Sequence, residues 1–355
     1  MAKKILFTGY APIHFLCFLP LYKKLACLPG IHVSVSGGLR TKVEDNYQYD
    51  EQAMYQPFNL PSDQVLSVEE IKKHEFDILF SACSNLIEPK SVTTRIQIFH
   101  GISFRNKAIR SANMGCDYYF VIGPYMHRHF KEGGLFQEDD NRAVCVGFMK
   151  TDPLFNGQLD RLQIRKRLGL KGDRPILLYA PTGAKYNSLE TMGEEVVRQL
   201  ASTGEYDILI KLHDHPKNKE IDWFTRLSPW KSEHCQVVHD LDVIPLLYVA
   251  DLLISDASSV SNEYALLDRP IVFLDTPELL AKERDSGNGM LDMETWGQKG
   301  GVIVKKPEEV EEAVASSLQN AHLYSDVRRA MAQDLFYNPG FATETALSWL
   351  QKNIL

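Results

Sequence analysis

Leu252-Leu253-Ile254-Ser255-Asp256-Ala257-Ser258-Ser259 runs from three apolar residues into a turn of small hydroxyl side chains. A short apolar run bounded by turn residues reads as a buried strand of a parallel sheet. The residues after it, with Glu263, Tyr264 and Leu267, read as a helix over 259–267. A strand that ends where a helix begins is the repeating unit of a doubly wound α/β sheet. Two readings of the serines stand side by side. Ser258 or Ser259 caps the helix, worth about 1 kcal/mol. Alternatively the serine hydroxyls, Ser255 included, join free backbone N–H groups and the helix dipole in a phosphate cradle. Asp256 is an orienting or a turn residue. Glu263, four residues after Ser259, is placed to accept hydrogen bonds from a ribose.

The same alternation extends in both directions. Apolar runs at 4–8, 32–36, 78–81, 96–99, 118–122 and 143–146 form a first series of expected strands. Runs at 175–180, 206–212, 236–238, 252–255, 270–274 and 302–304 form a second. Helical patterns lie at 159–168, 188–202, 243–250, 307–318 and 321–334. A single core stops growing at roughly 250–300 residues, so 355 residues imply two domains. The break is expected within 155–172, giving domains 1–160 and 161–355. The last helix is the element able to pack back on the first domain. Ligands of such sheets bind at the carboxyl ends of the strands.

Composition narrows the function classes. Apolar residues make up 44% and charged residues 24%, as in ordinary globular chains. The formal net charge of −7 argues against a nucleic-acid partner, which needs a basic face. Cys17, Cys27, Cys83, Cys116, Cys145 and Cys235 contain no C-x-x-C pair. They read as reduced thiols, and no structural zinc is expected. No apolar run reaches the roughly 18 residues of a membrane span. The basic start lacks the apolar core and cleavage site of a signal peptide. The expected location is therefore cytoplasmic, with peripheral contact at the inner membrane face and self-association left open.

Four further motifs end strands. In Phe99-His100-Gly101-Ile102-Ser103, His100 suits a general base and Gly101 admits a close approach, with Ser103 beside it. A hydrogen-bonded structural histidine is the alternative. In Lys211-Leu212-His213-Asp214-His215, Lys211 and either histidine are candidates for phosphate oxygens. The histidine spacing is a weak metal signal without a third ligand, so no metal or other cofactor is expected. Tyr179-Ala180-Pro181-Thr182-Gly183-Ala184-Lys185 is a phosphate or base loop, with Thr182 its hydroxyl, or an ordinary turn. His14, after the first strand, either reaches the ligand region or opens the first helix. Asp240 and Asp242 read as helix caps, and His127 and His129 as surface residues.

In this order the motifs resemble the CDP-glycerol glycerophosphotransferase family of teichoic acid primases and polymerases. The matching residues are Phe99-His100-Gly101, Tyr179-Ala180-Pro181-Thr182, Lys211-Leu212-His213, Ile254-Ser255-Asp256 with Ser258-Ser259, Tyr264-Ala265 and Arg269-Pro270-Ile271. Tyr337-Asn338-Pro339-Gly340-Phe341-Ala342-Thr343 is a weaker match near the C-terminus.

The resemblance implies a GT-B fold, two Rossmann-like doubly wound domains facing a central cleft. The first domain takes the acceptor and the second the nucleotide donor. It also implies metal-independent transfer of a polyol phosphate, glycerol phosphate or ribitol phosphate, from a CDP-linked donor. The acceptor is a hydroxyl of a cell-surface polymer or its lipid-linked primer. In that reading His100 is the base and His213 assists the leaving group. Ser258 and Ser259 hold the diphosphate, and Glu263 sits near the donor. The length matches a catalytic core without a separate membrane-targeting domain. Ala257, Ser261, Asn262 and Glu263 depart from the family pattern and bear on which donor is bound. A nucleotide-sugar glycosyltransferase or UDP-sugar 2-epimerase on the same frame is the alternative, and a nucleotide-binding scaffold without turnover is a third reading.

Overall fold

The structure is a computed structural model that describes residues 2–44, 46–82, 86–102, 114–214, 220–286 and 291–355. Cys83, Ser103 and His215 lie outside the described residues. The chain divides into two units. The first comprises the described residues to Gly101, those from 114 to Asp152, and 336–355. The second comprises Ile102 and 153–335.

The first unit is built on a six-stranded, all-parallel sheet. Its strands are β1 (Lys3–Gly9), β2 (Ile31–Gly37), β5 (Glu75–Ser81), β6 (Ser91–Ile98), β7 (Tyr118–Val121) and β8 (Ala143–Cys145), in the order β2-β1-β5-β6-β7-β8. An antiparallel hairpin, β3 (Leu39–Val43) and β4 (Asn46–Asp50), follows β2. Its strands are short and largely exposed, and Tyr47 and Tyr49 alternating with polar residues form no continuous apolar run. Burial of Ile5, Phe7, Ile78, Phe80, Ile96 and Phe120 explains why the central strands read as apolar runs. The aligned strand order reverses beside β1, between β1 and β5, and that is where ligands of this order bind.

The second unit repeats the plan. Strands β9 (Ile176–Tyr179), β10 (Asp207–Lys211), β11 (Cys235–Val238), β12 (Leu252–Ser255), β13 (Ile271–Leu274) and β14 (Val302–Val304) form a parallel sheet. The order is β11-β10-β9-β12-β13-β14, which is the Rossmann order, with its switch point between β9 and β12. Two apolar cores cover its faces. Val196, Val197, Leu200, Val310 and Val314 pack on one. Ile244, Leu246, Leu247, Val260 and Tyr264 pack on the other.

The chain leaves the first unit at Asp152 and re-enters it at Phe336. Asp152 is 3% exposed and receives Ala342 N–H at 3.1 Å, Thr343 N–H at 2.7 Å and Thr343 Oγ1–H at 2.6 Å. It therefore satisfies the first free donors of the final helix, Ala342–Asn353, from a distant part of the sequence. Burial pushes the Asp152 carboxyl up, and these three hydrogen bonds counter the shift. Gly147, at φ +106°, makes the return possible: a Cβ there would stand 2.1 Å from the Tyr337 carbonyl oxygen.

His127 and His129 are not surface residues. Both are half-buried, and His129 stacks 4.4 Å from the Tyr125 ring while pairing with Glu132 at 2.9 Å. Asp242 receives Ile244 N–H at 2.9 Å and Asp240 pairs with Arg167, so both serve the fold. Among the described residues no helix is long and apolar enough to cross a membrane.

Replacing Asp152 with Ala leaves three buried donors without their acceptor. We expect a loss of about 1–3 kcal/mol in urea unfolding. Amide exchange should accelerate first across 342–353. An unchanged midpoint and unchanged exchange would show that Asp152 does not anchor this helix.

Candidate active site

In the first unit, three neighbouring strands deliver the candidate residues at their carboxyl ends. β1 leads to Tyr10 and His14, β5 to Ala82, and β6 to His100 and Gly101. His14 and His100 lie together, their ring centres 4.8 Å apart. His100 Nδ1 is 2.9 Å from the Ala82 carbonyl oxygen. A carbonyl only accepts, so Nδ1 carries the proton and the neutral ring keeps its lone pair on Nε2. His14 has the opposite arrangement: its Nδ1 receives Tyr10 N–H at 3.2 Å, so its neutral form carries the proton on Nε2.

His100 has one edge open to solvent. Protein atoms nevertheless surround it in depth, and this desolvation pushes its pKa below the ordinary 6.5. The Ala82 carbonyl opposes the shift, and the Lys150 ammonium adds to it. The open edge and the depressed pKa are compatible. Accessibility counts the ring's free side, whereas the cost of charging it depends on all the atoms around it. The result is a neutral imidazole near pH 7 with a free Nε2.

In the second unit the candidate loops follow β10, β9 and β12, again three neighbouring strands. Asp256, fully buried, ties two of them together. Its Oδ1 receives Thr182 N–H at 2.9 Å, and its Oδ2 receives both Ser188 N–H and Ser188 Oγ–H at 2.9 Å. Ser255 Oγ donates to the Ala180 carbonyl at 2.7 Å. Ser255 and Asp256 thus spend hydrogen-bonding capacity on shaping the loops, a bracing position the donor-binding expectation did not include. Thr182 is buried, its backbone held by Asp256.

Ser258 and Ser259 lie on the turn that follows. Ser258 is 8% exposed, and Val260 N–H lies 3.5 Å from its Oγ. Ser259 is half-buried, and its side chain makes no cap hydrogen bond. The capping reading therefore loses Ser259. The helix itself is only Val260–Ala265, six residues, so its dipole is small and the turn's own donors matter more. Glu263 is buried within that helix. Lys211 is turned toward its own loop: Nζ donates to the Leu212 carbonyl at 2.9 Å and to Asp214 at 2.6 Å. Its charge is partly neutralised there, which weakens the phosphate expectation for it. His213 is exposed at the end of the same strand.

Some participants carry no sequence signal. Ser188 joins the Asp256 network and lies 2.9 Å from the Tyr179 hydroxyl. Gly193 lets that hydroxyl in, since a Cβ would come within 2.7 Å of it. Asn262 Nδ2 donates to the Ile102 carbonyl at 2.9 Å. Ala82 acts through its backbone, which no motif can report. Among the described residues no cluster of three or more His, Cys, Asp or Glu is set to hold a metal ion.

Asp256→Ala removes the acceptor of three buried donors. Unfolding free energy should fall by about 1.5–3 kcal/mol, and any affinity for CDP, the nucleotide the resemblance implies, should weaken in calorimetric titration. Retained stability with weakened binding would instead make Asp256 a direct ligand.

Residues 82–343, well over half of the chain, match the family model described as CDP-Glycerol:Poly(glycerophosphate) glycerophosphotransferase. The teichoic acid glycerol-phosphate primase of Bacillus spizizenii is 34% identical over 170 residues, covering 47% of this chain and 42% of the relative. The chain thus matches under half of that relative's length. A solved structure of the wall teichoic acid polymerase TagF superposes with a TM-score of 0.66 at 17% identity, covering 99% of this chain and 88% of that one. UDP-GlcNAc 2-epimerase from Neisseria meningitidis gives 0.58 at 13% identity, covering 99% of this chain and all of that one. At these identities the structural likeness is one of fold, and that fold is GT-B. By the extent of the family match, the chain belongs to the CDP-glycerol:poly(glycerophosphate) glycerophosphotransferase family.

Proposed function

We propose that this protein transfers a polyol phosphate from a CDP-linked donor to a hydroxyl acceptor in the synthesis of a cell-surface polymer. The observation that carries this reading is the state of His100: neutral, with Nδ1–H held by the Ala82 carbonyl and Nε2 available. That is the form a general base requires. Family membership supports glycerol phosphate on CDP as the donor class, and relatives named for ribitol-phosphate transfer keep ribitol phosphate beside it.

In this scheme His100 Nε2 takes the proton of the acceptor hydroxyl. The oxygen attacks the phosphorus that bears the polyol. A new P–O bond forms, the P–O bond of the diphosphate bridge breaks, and CMP leaves with the electron pair. The turn at Ser258 and Ser259 offers donors to the diphosphate, and His213 stabilises the departing CMP. Catalysis of this kind rests chiefly on positioning and charge stabilisation. The scheme assigns no part to a metal ion. The acceptor is a growing polymer or its lipid-linked primer, which places the reaction at the inner membrane face.

His100→Ala should lower kcat by about 10²–10⁴-fold while CDP binding stays close to that of the native chain. Full turnover by this variant would sink the assignment of the base.

The acid limb of the kcat/KM profile should report the same group. A base must be neutral, so activity is lost as pH falls through its pKa. Because that pKa is depressed, the limb should lie below 6.5. A limb above 6.5 would contradict a desolvated imidazole with a lowered pKa.

Nucleotide preference separates the polyol reading from the UDP-sugar one. A nucleotide at 100 times its dissociation constant stabilises the fold by about 2.7 kcal/mol. Thermal shifts should rank CDP and CMP above UDP and GDP, and the reverse order would favour the epimerase or glycosyltransferase reading.

A further inference from the structure

The short helix after the serine turn carries two polar side chains that the transfer scheme does not use. Ser261 and Asn262 lie in its first turn, and both are buried. They are two of the positions at which this chain departs from the family pattern. Ser261 Oγ–H donates to the Ser258 carbonyl at 2.8 Å, and Asn262 N–H donates to the Ser259 carbonyl at 3.1 Å. The backbone of the turn is thereby clasped to these two residues.

Asn262 also reaches out of the helix. Its Nδ2 donates to the Ile102 carbonyl at 2.9 Å, across 160 positions of sequence. Asn262 and Ile102 both belong to the second unit, and Ile102 is buried as well. Only an N–H faces a carbonyl favourably, so this bond fixes which way round the amide sits. Asn262 Oδ1 is shut off from solvent and has no hydrogen-bond partner among the described residues. A half-satisfied buried amide is costly, so stability alone does not account for one here.

Ile102 follows His100 by two residues, with only Gly101 between them. The segment leaves β6 at Ile98, and its far end is held by Asn262. A displacement of about 1 Å at a reacting group can cost on the order of 10²-fold in rate. We propose that Asn262 is a positioning residue for the transfer: it pins the chain just beyond the base and so links the placement of His100 to the turn at Ser258 and Ser259. The link runs through the covalent chain and one hydrogen bond inside the second unit. It rests on the transfer reading and deepens it, because it joins the donor-side turn to the placement of the base.

The test compares the native chain with Asn262→Leu, close in size but without a donor, and with Asn262→Ala as a second variant. CDP-glycerol is the donor and a short glycerol phosphate oligomer the acceptor. Either variant should lower kcat about tenfold or more while the KM for CDP-glycerol stays within about twofold of native. A folded variant with native kcat overturns the assignment, and so does a loss of kcat matched by an equal rise in that KM. Amide exchange gives a readout besides activity. CDP should slow exchange in the native chain at 259–263 and at 98–102. In the variants the first protection should remain and the second should vanish. Protection confined to 259–263 in the native chain, or equal protection of 98–102 in native and variants, overturns the link. If the native chain transfers nothing from CDP-glycerol, the transfer reading falls by itself and exchange decides the link. Should CDP not bind at all, exchange without ligand decides it: faster exchange at 98–102 in the variants supports the link, and equal exchange overturns it.

Discussion

The second unit depends on one buried carboxylate at the point where its strand order reverses. Asp256 accepts from Thr182 N–H and from both donors of Ser188, so the loops after β9 and β12 cannot move independently. A carboxylate without water is expensive to bury, and it is tolerated here because donors already satisfy it. Ser255 adds a parallel tie to the Ala180 carbonyl. Tyr179, admitted by Gly193, closes the network through Ser188. The turn at Ser258 and Ser259 inherits its position from this frame rather than from the short helix that follows it.

The first unit solves a different problem with the same economy of means. The proposed base must be neutral and correctly oriented, and a single backbone carbonyl at Ala82 decides which ring nitrogen of His100 holds the proton. His14, oriented by the Tyr10 amide, presents the other tautomer beside it. Two imidazoles with complementary faces, one an acceptor and one a donor, are thereby set side by side at the ends of β1 and β6. The closure of this unit by Asp152 on the final helix keeps the chain's last segment in the same core as its first.

Legibility in the sequence followed the physics of each feature. Buried parallel strands are continuous apolar runs, so Leu252–Ser255 and Val302–Val304 were readable to the residue. The β3–β4 hairpin was not, because its short strands are largely exposed and the alternation of Tyr47 and Tyr49 with polar residues makes no buried apolar run. His100 stood out as a histidine at a strand end, yet its tautomer was invisible, since the partner is a main-chain oxygen eighteen positions away. Lys211 looked like a phosphate ligand by type and place. Its pairing with Asp214 follows from side-chain direction, which residue identity does not specify.

The sequence by itself determined the α/β class, the two strand series and the family, because all three rest on local patterns and on motifs in a fixed order. Tertiary structure alone decided what each motif residue touches. Asp256 came to brace the loops after β9 and β12, Arg40 came to lie over Tyr10, and 336–355 rejoined the first unit. Each depends on contacts between residues far apart in the chain, and such contacts are settled only when burial brings the strand ends together and leaves every donor to find its acceptor.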